Sequence, residues 1–136
     1  MPFGRRVSKY VMERFEADKE LAGTHQDKVA AAVRAEQELR AAQAEKGRHS
    51  DVELRALSRR LDAALLDAVK SAEAAERVAM GPRTYASDDA KESRAAEIAR
   101  RKAKAKSAVR PWTDEVDRLR TAREINKLSY RAVARL

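Results

Sequence analysis

A chain of 136 residues without cysteine has room for one domain, and neither a disulfide framework nor a thiolate zinc site is open to it. Its apolar content is mostly Ala, 28 of them, while Val, Ile, Leu and Phe together number 24, under the fifth of the chain that packed domains ordinarily carry. The net charge of +8 is concentrated: Arg100, Arg101, Lys102, Lys104, Lys106 and Arg110 stand within eleven residues with no acid, whereas the remainder holds 24 Lys+Arg against 22 Asp+Glu.

Strong helix formers dominate, with only four Gly and three Pro to interrupt them, so long helices are expected throughout. Ser8 is placed to cap a first helix over 8–22, whose apolar positions Val7, Tyr10, Val11, Phe15 and Leu21 recur at three- and four-residue steps up to Gly23. Thr24 with Asp27 resembles a capping arrangement for a second helix over 24–46, with a thin, Ala-rich face through Val29, Val33 and Leu39. Gly47 is then either a turn or a bend. Ser50 with Glu53 forms a capping box for the third helix, 51–80, which Gly81-Pro82 terminates.

Along that third helix Leu54, Leu57, Leu61 and Leu65 give way to Ala68 and Ala72, a heptad-like seam whose small end lets a partner backbone approach closely. Ser87 with Asp88 and Asp89 opens a fourth helix over 87–109, and a break at Pro111 precedes a fifth over 113–135, capped by Thr113. Trp112 is expected to staple onto Val116, at the head of a face continuing through Leu119, Ala122, Ile125, Leu128 and Ala132. The expected fold is all-α: one domain, 1–136, of long antiparallel helices in hairpins, a coiled-coil-like bundle whose scanty core is completed by self-association or by another helical protein.

Nothing has the spacing of a catalytic or metal site. His25 and His49 stand apart from any Glu-x-x-His or His-x3-His pattern and read as solvent-facing residues near helix ends, and the glycines at 4, 23, 47 and 81 form no phosphate loop. The pairs Asp88-Asp89 and Asp114-Glu115 sit at expected helix starts, where the helix dipole accounts for them. No enzyme activity, metal or cofactor is expected. No apolar run follows Arg5, Arg6 and Lys9, so neither a secretory signal nor a membrane span is expected, and acids along the first helix disfavour a membrane-surface role. The expected location is cytoplasmic or within a virion, the Ala- and Arg-rich bias pointing to a phage or mobile element.

The basic segment carries what functional information there is. On a continuous helix its six cations would surround the cylinder and create like-charge pairs at Arg100/Lys104, Lys102/Lys106 and Lys106/Arg110. Its bland role is to complement a helix C-terminus and keep the surface soluble. The leading expectation is a structural or adaptor subunit of a larger assembly, with Arg100, Arg101, Lys102, Lys104, Lys106 and Arg110 docking on an anionic surface and Leu54, Leu57, Leu61, Leu65, Ala68 and Ala72 packing helices. The alternative is a nucleic-acid-binding accessory protein using the same cations on phosphates without base readout. Its helices are too long for a helix-turn-helix, and aromatic residues for stacking are missing among the cations.

Overall fold

A computed structural model describes the chain over residues 7–86 and 90–135, with side chains over 7–86 and 93–129. Among the described residues it is all-helical: α1 Lys9–Ala22, α2 His25–Ala44, α3 Asp51–Met80, a 3-10 turn Pro82–Thr84, α4 Ala90–Lys104 and α5 Arg110–Arg135. The expected start of the fourth helix at Ser87, Asp88 and Asp89 lies outside the described residues, as do Arg5 and Arg6. Two compact units form, one from the described parts of Met1–Gly23 and Ser71–Glu115, the other from those of Thr24–Lys70 and Val116–Leu136.

The helix ends show which local signals operate. Ser8 caps α1 as its sequence requires, its Oγ accepting the Val11 N–H at 3.1 Å. Thr24 does not cap α2: its backbone is right-handed helical, as is that of Gly23, so the hydroxyl is not presented to the first free N–H groups and makes no capping bond. Gly47 is a turn, not a bend, with φ of 81°, which only glycine adopts without strain. After it, Ser50 Oγ accepts the Glu53 N–H at 3.2 Å. The reciprocal half of the capping box is replaced, because the Glu53 carboxylate meets His49 Nδ1 at 3.0 Å. Gly81, at φ 99° and ψ 161°, stops α3 and hands the chain to Pro82 at the start of the 3-10 turn, where the Thr84 hydroxyl donates to the Gly81 carbonyl at 2.7 Å.

The Leu/Ala seam of α3 is buried from its second half onward. Leu54 and Leu57 are half-buried, Leu61 and Leu65 are buried, and Ala68 and Ala72 are completely so. Burial there is wider than one seam, since Val69, Ser71, Ala74 and Ala75 are buried too. At 100° per residue these positions cover well over half the circumference, which is why the sequence there is Ala and Ser.

In α5 the buried line departs from the expected one. Val116, Leu119 and Asn126 are buried, but Ile125 and Leu128 are each 55% exposed. Five positions taken at uniform three-residue steps rotate about 60° per step around a helix, so Ile125 comes to stand opposite Val116. Asn126 takes the inward position instead. Its amide donates to the Ser58 carbonyl at 3.0 Å and its Oδ1 accepts from the Ser58 hydroxyl at 3.3 Å, so the buried polar group is satisfied. One turn away, Arg123 forms a two-pronged pair with Asp62, Nε to Oδ1 at 2.9 Å. In α2 the buried residues His25, Ala32 and Leu39 recur every seven positions, so His25 belongs to the interior and not to solvent, while Val33 is exposed.

Candidate functional site

The six cations do not lie on one continuous helix. α4 ends at Lys104, five residues short of the expected boundary, and a turn over 105–109 leads into α5 at Arg110. The Ala105 and Lys106 N–H groups bond three residues back, to Lys102 and Ala103, which tightens the last turn. Two causes converge on this stop. A helix running through Pro111 would lack one N–H and drive the ring into a carbonyl of the preceding turn, and a continuous helix would stack Lys102, Lys106 and Arg110 in like-charge pairs. Pro111 instead sits in the first turn of α5, where its missing N–H costs nothing. The break therefore falls before Pro111, and Trp112 and Thr113 are helical residues, not staple and cap. The Trp112 and Thr113 N–H groups both bond the Val109 carbonyl, and the Thr113 hydroxyl donates to Glu76 Oε2 at 2.6 Å.

The elbow is held from beneath. Ala103 and Val109, on either side of it, are buried against Met80 with Ala79 packed alongside, at the end of α3. Arg100 points away from the others: half-buried, its guanidinium donates to the Thr84 carbonyl at 3.4 Å. Arg101, Lys102, Lys104, Lys106 and Arg110 are all exposed. No ion pair among the described residues involves any of these five. Arg101, Lys102 and Lys104 stand on the end of α4, Lys106 on the turn and Arg110 at the start of α5, and the backbone of this elbow is anchored by apolar burial and backbone hydrogen bonds.

Two further charged clusters have no counterpart in the sequence reading. In the unit containing the elbow, Asp18 of α1 accepts from Arg77 of α3 at 2.9 and 3.0 Å and from the Tyr85 hydroxyl. Burial would raise the Asp18 pKa, but the hydrogen bonds from Arg77 and Tyr85 outweigh it and hold the carboxyl below its usual range. Burial, and then the bond to Asp18, push the Tyr85 phenol well above its ordinary value. Phe15 meets the Tyr85 ring edge-on at 6.0 Å, and the Arg14 guanidinium lies 5.4 Å from the same ring and 5.7 Å from that of Tyr10. These partners are 59 and 67 residues apart in sequence, so no local pattern signals them.

In the other unit, His49 is gripped on both sides, Nδ1 at 3.0 Å from Glu53 and Nε2 at 2.9 Å from Glu45. The hydrogen bond to Glu53, then that to Glu45, raises its pKa, because an imidazolium can donate from both nitrogens. A group whose folded-state pKa is raised contributes stability that is complete below the unfolded value, near 6.5, and is lost as pH rises through the folded value. A proton NMR titration of His49 is expected to give a midpoint above that of a model peptide, and E45Q/E53Q is expected to return it to that value. An unshifted midpoint in the parent chain refutes the two-sided grip.

Among the described residues no group of acids and histidines is placed to hold a metal ion, and no helix is long and apolar enough to cross a membrane. No family model, curated protein or solved structure matches this chain.

Proposed function

We propose that the protein is a non-enzymatic helical adaptor that docks on an anionic surface through the elbow at 101–110 and belongs to a larger assembly. The observation carrying this reading is the set of five exposed cations, free of ion pairs among the described residues, spread over the end of α4, the turn and the start of α5 about the buried Ala103 and Val109. Repulsion among unshielded like charges costs stability. A chain that concentrates most of its net charge there, about an anchored elbow, has its charge arranged for a ligand.

The architecture we propose is a bundle of antiparallel helices. Within the unit of Thr24–Lys70 and Val116–Leu136, Ser58 and Asp62 of α3 meet Asn126 and Arg123 of α5, so partner numbers fall as residue numbers rise between these two helices, and Glu38 of α2 pairs with Arg60 of α3. Self-association is supported by the shortage of large apolar residues and by Ile125 and Leu128, three residues apart on α5 and exposed in the single chain.

Retention on a heparin support at low salt, with light-scattering mass across a dilution series, tests both halves. The parent chain is expected to be retained and to exceed the monomer mass, and R101Q/K104Q/K106Q to elute at markedly lower salt with the same mass. A chain that flows through and stays monomeric overturns the reading.

A further inference from the structure

We infer that the anionic partner of the elbow is the phosphodiester backbone of a nucleic-acid duplex, bound without sequence preference, and that Arg94 extends the contact along α4. The inference rests on the anion-docking reading above and narrows it. Arg94 and Arg101 are both exposed. Seven helical positions apart, they fall within about 20° of one another around α4 and about 10 Å apart along it. Lys102 and Lys104 flank that line, and the turn adds Lys106 before α5 supplies Arg110. The cations thus follow a path instead of gathering round a point. All of them are exposed, so none is held in a recess where a single small anion could be enclosed.

The surroundings discriminate among extended anions. Apart from its cations, the exposed surface from 101 to 111 consists of Ala105, Ser107, Ala108 and Pro111. A protein interface draws its affinity from large buried anchors, chiefly Trp, Tyr and Arg packed in apolar pockets, and a membrane-surface element needs Trp, Phe or Leu to insert. On α4 the large apolar side chain exposed among the described residues is Ile98, too little for either. A phosphate backbone asks for charge and little else, because affinity comes from the counterions released. No exposed aromatic residue stands among the cations to stack an unpaired base, which favours a duplex over a single strand. Glu97 is the exposed acid on this stretch of α4; it trims the field without breaking the path.

With about six phosphates neutralised, log K should fall against log salt with a slope near −5.4, so that going from 50 to 200 mM weakens binding roughly 1,800-fold. The experiment is fluorescence anisotropy of the full chain with two 20-base-pair DNA duplexes of unrelated sequence and with labelled poly-glutamate, each as a salt series. The expected result is equal affinity for the two duplexes, weaker binding to poly-glutamate, and a slope flattened by about three units in R101Q/K104Q/K106Q and by about one in R94Q. A variant with the same charge loss elsewhere, R34Q/R59Q/K70Q, should keep the parent slope. Equal or tighter binding to poly-glutamate overturns the nucleic-acid inference while leaving anion docking intact. Binding to neither polymer at 50 mM salt overturns both. Duplex binding that the triple elbow variant leaves unchanged removes the elbow as the site, and an unchanged slope in R94Q removes the extension along α4.

Discussion

Asp18→Asn is expected to lower the stability of the folded chain by about 2 kcal/mol, because a neutral amide cannot replace the carboxylate between Arg77 and the Tyr85 hydroxyl. Removing one partner of a fully buried ion pair costs more than this, but the Arg77 side chain is 41% exposed and water recovers part of the loss. Tyr85 has no such relief, being buried. For a chain of this size the change corresponds to a drop of roughly 6 to 8 °C in the thermal midpoint, read by circular dichroism. The pH dependence carries the sign. A carboxyl whose folded pKa is depressed contributes stability that is complete above its unfolded value, 3.8, and lost as pH falls through the lower folded value. Asp18→Asn should therefore flatten the acid limb of a stability–pH curve, and an acid limb identical to that of the parent chain refutes the linkage. Tyr85→Phe removes only the hydroxyl and should cost less, about 1 kcal/mol.

A second large loss is expected in the other unit. Leu119 is 1% exposed, and truncating a buried Leu to Ala costs roughly 2 to 5 kcal/mol, the lost transfer free energy plus the cavity left behind. Leu119→Ala should fall near the middle of that range by chemical denaturation, whereas Ile125→Ala, at an exposed position of the same helix, should stay within about 0.5 kcal/mol of the parent when the chain is dilute enough to be monomeric. The pair forms a direct test of the α5 face. Equal costs in the dilute monomer would refute this packing of α5, whereas a cost at Ile125 that grows with protein concentration is the mark of the self-association proposed above.

Much of the chain's helical punctuation is legible one residue at a time. Ser8, Ser50, Gly47 and Gly81 act through backbone groups within three or four residues of themselves, and each performs the local task its chemistry suggests. Pro111 is legible as a break but not as to the side on which the break falls. A proline is excluded from a helix interior and welcome in a first turn, and the turn before it is held by Val109, which is buried with Met80 and Ala103. Thr24 shows the opposite failure: the residue type is a good cap, but its backbone stays helical and withholds the hydroxyl.

By itself, then, the sequence determined that the protein is helical, where most of its helices begin and end, and that its charge is gathered between Arg100 and Arg110, because these properties depend on residue type and on neighbours within one helical turn. Tertiary structure alone decided that Arg100 turns toward Thr84 while five cations remain exposed. It likewise decided that Asp18, Arg77 and Tyr85 meet across some sixty residues of chain, whereas Asn126 facing inward in place of Ile125 follows from helical geometry once Val116 and Leu119 face inward. Such choices follow from burial. Which side of a helix faces the interior depends on what lies against it, and spacing along the chain does not carry that information when the apolar residues are mostly alanine, small enough to be tolerated on either side.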